Sequence, residues 1–329
     1  MRKTIRDIAK ELNLSHTTVS RVLNNRTDFI SERTRQRVLK AIKNAGYQPN
    51  LAARALVTGR TNLIAFWSRY LHTPFQVRVV QALFTQLKAD NYELLIRSVP
   101  EDTDSELSPP RLEFPTDGVI AFETAYPLLW RTNATNSCSP IVSLGAYYCE
   151  EVDHVGVDLF YGASLALNHL YEVGCRRIAY LLDQASNRPG DARLEAYLTF
   201  CRESGLQAEQ IVAPQQTRSD ARETLKHYIE ARGAPTGLFC INDEMAIGAY
   251  RALLDLKLSV PDDVALVGCD GIEDTEYLDH PLSTIVQPIE EMCRIGWQFL
   301  RTRIQNPDLP PQQLVLRPQL VVRESSVRR

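Results

Sequence analysis

Residues 4–24 read TIRDIAKELNLSHTTVSRVLN, two short segments of helical periodicity with a break between them. In the first segment Thr4 is a suitable N-cap, because its side chain can accept a hydrogen bond from a free backbone N–H. Apolar residues recur there at helical spacing, namely Ile5, Ile8, Ala9 and Leu12. Asn13 follows, and asparagine tolerates the left-handed backbone of a tight turn. We therefore predict a helix that ends in a turn at Asn13.

Two further helices follow this turn. Ser15 can cap the second helix, and Ser31 can cap a third that ends at Gly46. The inward residues are predicted to be Val19, Val22 and Leu23 in the second helix and Val38, Leu39 and Ile42 in the third. The second helix presents a polar face of His16, Thr17, Ser20 and Arg21. This order is the helix-turn-helix arrangement, whose second helix lies in the DNA major groove.

The charge of the chain is divided unevenly along its length. The whole sequence of 329 residues has a formal net charge of −3, but residues 1–60 carry +9 and the remainder carries −12. A short basic segment on a large acidic body is typical of a nucleic-acid-binding head. A solvated basic tail would lack the apolar periodicity described above, so we predict a folded head.

After residue 61 the pattern alternates between short apolar strands and amphipathic helices. The predicted strands are Leu63–Trp67, Tyr92–Ile96, Gly118–Phe122, Ile141–Leu144, Arg177–Leu182, Leu238–Ile241 and Val264–Val267, with a last strand after Leu314. Such alternation indicates parallel, doubly wound α/β sheets. For about 270 residues, two lobes are more natural than one.

Several classes of protein are not expected from this sequence. No apolar run approaches the roughly 18 residues of a membrane span, and the N-terminus lacks the apolar core of an export signal, so a cytoplasmic protein is predicted. The seven cysteines never form a Cys-x-x-Cys pair, which suits small buried residues in a reducing compartment. The six histidines show no metal-ligand spacing, and no catalytic or phosphate-binding motif occurs. We expect no cofactor, no metal and no enzymatic activity.

Residues 4–56 resemble the head of the lactose-repressor (LacI/GalR-type) family. The matching stretches are Thr4–Ala9, Ser15–Asn24, Ser31–Arg37 and Gly46–Asn50, and Asn13 stands where the family usually has glycine. The resemblance continues through the body, in the segments 157–178, 242–248, 267–271 and 281–285. It implies a core of two lobes like a periplasmic sugar-binding protein, behind an all-α helix-turn-helix head.

The resemblance assigns the reading of base edges to His16, Thr17 and Arg21. On chemistry alone Arg21 is the strongest of these, because a guanidinium can bond guanine O6 and N7 together. The alternative is a phosphate contact, which would position the protein without reading sequence. Contacts to the DNA backbone are predicted for Thr4, Ser15, Thr18, Ser20, Asn24 and Tyr47.

A small apolar segment follows the head. Asn50 can cap a short helix over 51–57, which includes Ala53 and Leu56. So short a helix is not stable alone in water and needs a partner surface. The family resemblance implies a hinge helix that contacts DNA and inserts Leu56 into the minor groove, where such a wedge kinks the duplex. The alternative is an ordinary linker turn in which Leu56 packs on the core.

The predicted effector site lies where strands end. Asn242 and Asp270 each follow a predicted strand, which puts them at the ligand crevice of an open α/β sheet. Their alternative roles are helix capping and loop stabilisation. The resemblance implies that Arg193 contacts the effector, and Glu123 and Phe75 are first-lobe candidates. An arginine, a carboxylate and an amide suit a polyhydroxylated ligand.

Two more arginines, Arg69 and Arg78, could favour an anionic ligand, with solvated surface positions as the alternative. The predicted domains are a head over 1–49, a hinge over 50–60 and a core over 61–329. Lobe one is expected at about 61–157 and 289–316, and lobe two at about 158–285 and 317–329.

These features predict a DNA-binding transcription regulator that is controlled by a small carbohydrate-like effector. Because the family normally represses, the resemblance implies a repressor. A dimer on pseudo-palindromic DNA is expected, and the C-terminus lacks the leucine heptads of a tetramerising tail. A solute-binding protein, an α/β enzyme and an architectural DNA-binding protein are the alternatives. The basic head opposes the first, the lack of a catalytic motif opposes the second, and the large body opposes the third.

Overall fold

The computed structural model describes residues 4–23, 29–47, 55, 58–68, 71–99, 115–124, 139–146 and 150–327. The chain divides into two compact units, Met1–Thr61 and Asn62–Arg329. We describe the first unit as the head and the second as the core.

The described segments 4–23 and 29–47 of the head form three helices, α1 (Ile5–Leu12), α2 (His16–Leu23) and α3 (Glu32–Ala45). The N-cap of α1 forms reciprocal bonds: the Asp7 N–H donates to Thr4 Oγ1 at 3.3 Å, and the Thr4 N–H donates to Asp7 Oδ2 at 2.8 Å. Asn13 ends α1 in the left-handed conformation with φ 55°. A small core joins the helices, formed by Ile8, Ala9, Val19, Val22 and Val38. The helix-turn-helix prediction is confirmed.

One inward residue of the head was predicted wrongly. Val38 is fully buried, but Leu39 is exposed, with 38% of its surface accessible. The next residue along a helix is turned by about 100°, and in α3 this turn carries Leu39 away from the side on which Val38 enters the core. Arg37, one position before Val38, donates from Nη2 to the carbonyl of Leu12 at 3.1 Å and so ties α3 to the end of α1.

The residues of the core that the structure describes form two six-stranded sheets. The first consists of β1 (Leu63–Ser68), β2 (Glu93–Ser98), β3 (Gly118–Phe122), β4 (Ile141–Leu144), β5 (Asp153–Val157) and β11 (Gln313–Leu316). Its order is β11-β5-β4-β3-β1-β2, and every pairing is parallel. The second consists of β6 (Ile178–Asp183), β7 (Glu209–Ala213), β8 (Gly237–Cys240), β9 (Ala265–Asp270), β10 (Ser283–Val286) and β12 (Gln319–Val321). Its order is β12-β10-β9-β8-β6-β7, and only β12 is antiparallel.

Helices cover the sheets and define two lobes. The α-helices in the described part of the core are α4 (Pro74–Ala89), α5 (Leu159–Glu172), α6 (Ala192–Ser204), α7 (Arg218–Arg232), α8 (Asp243–Asp255) and α9 (Ile289–Gln305). The first sheet packs with α4 and α9 as lobe one, and the second packs with α5 to α8 as lobe two. The two-lobed α/β prediction is confirmed.

The sequence missed some strands. β5, β7 and β10 were not predicted, and the single C-terminal strand expected after Leu314 is two strands in different sheets. Pro318 lies between β11 and β12. Because proline has no backbone N–H to donate to a strand pairing, the chain breaks there and continues in the other sheet. None of the helices in the described ranges is long and apolar enough to cross a bilayer.

Candidate functional site

One face of α2 is polar and points away from the hydrophobic core of the head. His16, Thr17 and Arg21 are exposed, while Val19 and Val22 on the other side are buried. This separation follows from the helical spacing of the two apolar residues, which fixes the rotation of α2. The face therefore presents an imidazole, a hydroxyl and a guanidinium, the donor and acceptor types that read base edges.

The other predicted DNA contacts have varied surroundings. The Ser15 side chain accepts from the Thr18 N–H at 3.0 Å and so caps α2, just as Thr4 caps α1. Ser20 is half-buried, and Tyr47 packs against the head core. The remaining predicted contacts lie outside the described residues, namely Asn24, Asn50, Ala53 and Leu56.

A cavity of about 630 Å³ lies between the two lobes of the core, and we call it the cleft. All five predicted effector residues line it: Phe75, Glu123, Arg193, Asn242 and Asp270. Glu123 directly follows β3 and Asp270 ends β9, so each sits at the carboxyl end of a parallel strand. Phe75 and Arg193 lie in the first turns of α4 and α6, and Asn242 is the N-cap of α8.

Two carboxyl groups face the cleft from different lobes, the buried Asp270 and the half-buried Glu123. Burial raises the pKa of Asp270 well above its usual value, and repulsion from Asp243 and Glu123 adds to this rise. Burial likewise raises the pKa of Glu123, although its bond from the Ala146 N–H opposes the shift. Neither group forms a salt bridge with another residue in the described part of the chain. The cleft therefore holds acceptors that lack a full set of donors.

Arg193 supplies the positive charge near these carboxyls. Its Nη1 donates to the carbonyl of Ile241 at 3.1 Å, and its Nη2 lies 3.5 Å from Asp191 Oδ2. Burial alone lowers its pKa, but nearby negative groups, first Asp191, outweigh burial and raise it. The buried Nε of Arg193 has no hydrogen-bond partner among the described residues. A buried donor left unpaired is costly, so this atom is suited to a ligand oxygen.

Asn242 caps a helix and also lines the cleft. Its Oδ1 accepts from the Met245 N–H at 2.9 Å, which caps α8, while its Nδ2 donates to Gln216 Oε1 at 2.9 Å. Gln216 in turn donates to Asp183 Oδ1 at 2.9 Å. The cap contact thus fixes Asn242 in place without removing it from the cleft wall.

Sequence reasoning missed several cleft residues, among them Asp183, Gln216 and Gln287. Asp183 is the last residue of β6, one position beyond the predicted strand end. Gln216 and Gln287 follow β7 and β10, strands that the sequence did not reveal. The rule that ligands bind beyond strand ends would have found all three, had the strands been placed correctly.

Comparison with known proteins assigns the chain to a family. The family model "Bacterial regulatory proteins, lacI family" matches residues 4–50, and the model "Periplasmic binding protein-like domain" matches residues 167–326. The HTH-type transcriptional repressor PurR of Proteus mirabilis is 28% identical over 333 residues, which cover 98% of this chain and 96% of that relative. The chain belongs to the lactose-repressor family.

Solved structures agree with membership of the lactose-repressor family. The complex of the transcriptional regulator CelR with cellobiose is 25% identical, with a TM-score of 0.67, and the match covers 99% of this chain and 100% of that one. The lac repressor dimer bound to operator and the anti-inducer ONPF is 22% identical and shows the same fold, with a TM-score of 0.84 over 100% of both chains. Like its relatives in the lactose-repressor family, the chain is a transcription regulator and not an enzyme.

Two arginines and the metal-ligand residue types were also considered from the sequence. Arg69 lies outside the described residues, and Arg78 does not line the cleft. Within the described ranges, no group of three or more His, Cys, Asp or Glu side chains could hold a metal ion. Among the described residues, five cysteines are buried, as expected for small core residues: Cys175, Cys201, Cys240, Cys269 and Cys293.

The raised pKa of Asp270 predicts how the stability of the empty core depends on pH. Because the folded state holds a proton that the unfolded chain has released, the free energy of unfolding falls as pH rises between the two pKa values. Asp270→Asn cannot ionise and should stabilise the core by about 1 kcal/mol at pH 8, a typical gain for one favourable substitution. The gain should shrink towards pH 4.

Urea unfolding of the wild type and Asp270→Asn at pH 4, 6 and 8 measures this gain. The exposed Asp262, on the loop before β9, provides the matched control Asp262→Asn, which should leave the unfolding midpoint unchanged. An Asp270→Asn protein no more stable than the wild type at pH 8 would contradict the burial of an unpaired carboxylate.

Proposed function

We propose that this chain is a cytoplasmic repressor that binds pseudo-palindromic operator DNA as a homodimer. Binding of a carbohydrate in the cleft changes its affinity for that DNA. The proposal divides the chain into a head over 1–49, a hinge over 50–60 and a core over 61–329. The observation that carries it is the convergence of five strand-end and helix-start residues on one cleft, in a chain whose head presents the polar face of α2.

In the head, we assign base reading to the exposed side chains of α2. Arg21 reads guanine through two bonds, and His16 and Thr17 contact neighbouring base edges. The polar residues around them position the head on the phosphates: Thr4, Ser15, Thr18, Ser20, Asn24 and Tyr47. Asn50, Ala53 and Leu56 contact DNA from the hinge, with Leu56 as a minor-groove wedge. A dimer of such heads requires two half-sites related by two-fold symmetry.

In the core, we assign the cleft to a neutral, polyhydroxylated ligand. Carboxylates outnumber arginines in the lining: Glu123, Asp183, Asp191, Glu244 and Asp270 against Arg188 and Arg193. A carboxyl group accepts hydrogen bonds from sugar hydroxyls in either protonation state, and an ionised one also repels phosphate or carboxylate groups. The amides of Asn242, Gln216 and Gln287 can donate and accept, which suits a ring with several hydroxyls.

Selection of bound duplexes from a random DNA pool tests the DNA-binding proposal. The wild type should enrich one motif with two-fold symmetry. Arg21→Ala should bind with lost or relaxed preference at the guanine that it reads, at a cost of about 1–3 kcal/mol. Arg35, a half-buried residue of α3 paired with Glu32, gives the matched control Arg35→Ala, which should keep the motif.

Two outcomes of the selection contradict the proposal. Enrichment of the same motif by Arg21→Ala would show that Arg21 contacts a phosphate and does not read a base edge. Sequence-blind binding by the wild type that is lost steeply with salt would show that the head is merely electrostatic.

A panel of neutral sugars and their phosphates tests the cleft. Thermal stabilisation of the protein reports binding, because a ligand that binds only the folded state raises its stability. We expect binding of a neutral sugar from a panel of cellobiose, lactose, ribose and related compounds, and at least about tenfold weaker binding of its phosphate. Arg193→Ala and Asp270→Ala should each weaken binding about 10- to 100-fold, the value of one charged hydrogen bond.

The matched control for the sugar panel is the substitution of an arginine outside the cleft. Arg222, which pairs with Asp255 away from the cleft, provides the control Arg222→Ala, which should bind as the wild type does. Tighter binding of the phosphate, or affinity that survives both cleft substitutions, would show that the effector binds elsewhere or differs in charge.

A further inference from the structure

Arg78 joins the two lobes beside the cleft. It projects from α4 in lobe one, and its Nε and Nη2 donate to the two carboxylate oxygens of Glu290, each at 2.8 Å. Its Nη1 donates to the carbonyl oxygen of Gly271 in lobe two at 3.2 Å. Glu290 lies in the first turn of α9, where the chain returns from lobe two to lobe one. One guanidinium on lobe one therefore contacts lobe two and the start of the helix at which the chain returns to lobe one.

The carbonyl that Arg78 holds is next to a cleft residue. Gly271 directly follows Asp270, and Asp270 Oδ1 accepts from the Gln287 Nε2 at 2.8 Å. The Gly271 and Ile272 N–H groups both donate to Asp243 Oδ2, at 2.7 and 2.9 Å. This corner, residues 270–272, is thus fixed on both sides, so a displacement of the Asp270 carboxyl is passed on to the Gly271 carbonyl.

The corner has little freedom to absorb such a displacement by itself. Gly271 has φ +75°, and a Cβ there would lie 2.9 Å from Val286 Cγ2, so only glycine fits against the neighbouring strand end. A tightly packed corner moves as a unit. Movement of the corner relative to α4 must therefore stretch or break the bond from Arg78.

The fork of Arg78 is suited to this position. A two-bond pair with a carboxylate is geometrically specific, and the remaining N–H groups of the guanidinium still point outward. The hydrogen bond from Arg78 is the main reason that the pKa of Glu290 is lowered. A lysine ammonium could not reproduce the planar fork.

We propose that Arg78 is a positioning residue that couples the contents of the cleft to the orientation of the two lobes. Its bond to Gly271 stabilises the lobe orientation seen here, and a ligand that reorients the lobes must work against that bond. Coupling of this kind requires contacts that differ between two states, and the bond from Arg78 to Gly271 is such a contact. The effect of Arg78 on DNA binding rests on the proposed function, but its effect on the orientation of the lobes does not depend on that function.

The lobe distance in the ligand-free full-length protein tests the proposal directly. Spin labels at Glu93→Cys in β2 and Glu203→Cys in α6 report it, because both positions are exposed and lie in different lobes. Cys138 and Cys149, which lie outside the described residues, are replaced by serine, and dilution with unlabelled chain removes distances between protomers. We expect one narrow distance for the wild type and a second population or a shifted distance for Arg78→Met.

Matched variants separate coupling from damage to the fold. Glu290→Gln keeps the size of the side chain but removes the ion pair, so it should shift the distance in the same direction by a smaller amount. Arg222→Met removes an arginine–carboxylate pair within lobe two and should leave the distance unchanged. An unchanged distance in both Arg78→Met and Glu290→Gln would overturn the proposal, even if one of the two proteins folded poorly.

A second readout connects Arg78 to DNA. Affinity for the duplex enriched from the random pool should change at least about fivefold in Arg78→Met, the lower end of typical coupling. Equal affinity in the wild type and Arg78→Met would overturn the coupling to DNA. Failure of the wild type to enrich any duplex would instead refute the proposed function, while the lobe distances would still decide the role of Arg78.

Discussion

The parallel sheets of the core are the constraint on which its chemistry depends. The strands that supply cleft residues end at the cleft, so the residues at and just after those ends share one cavity although they are far apart in sequence. Glu123 reaches it from lobe one, and Asp183 and Asp270 reach it from lobe two. Because the two sets belong to different lobes, any ligand that bonds both also constrains the angle between the lobes. Recognition and control are thereby two consequences of one arrangement.

This arrangement has an energetic cost in the empty protein. Asp270 and Glu123 are carboxyls with raised pKa values, and Arg193 keeps a buried donor without a partner in the described part of the chain. Such groups destabilise the folded state until a ligand satisfies them. The surrounding hydrogen bonds hold them in place rather than neutralising them: Asp243 fixes the corner after Asp270, and Asn242 is fixed by its own cap bond. A site built in this way is suited to an effector with many hydroxyls.

The sequence predicted well whatever depends on local spacing. Thr4 as a cap and Asn13 in a left-handed turn are confirmed, and the strands Gly118–Phe122 and Ile141–Leu144 have the predicted bounds. It failed where a strand is short or polar and is recognised only by its partners. β7 reads EQIVA at a sheet edge and β10 reads STIV, so neither has a long apolar run. Because these two strands were missed, Gln216 and Gln287 were not recognised as cleft residues. The exposed Leu39 shows that helical spacing of apolar residues does not predict how wide the buried face of a helix is.

The central claim is that the cleft controls the head, and a linked titration measures it most directly. The operator duplex enriched from the random pool is titrated with protein in the presence and absence of the neutral sugar that binds the cleft, and the sugar is titrated with and without the duplex. We predict that the sugar changes operator affinity about 5- to 150-fold and that the duplex changes sugar affinity by the same factor, as linkage requires. Tight binding of both ligands with no mutual effect would contradict the account.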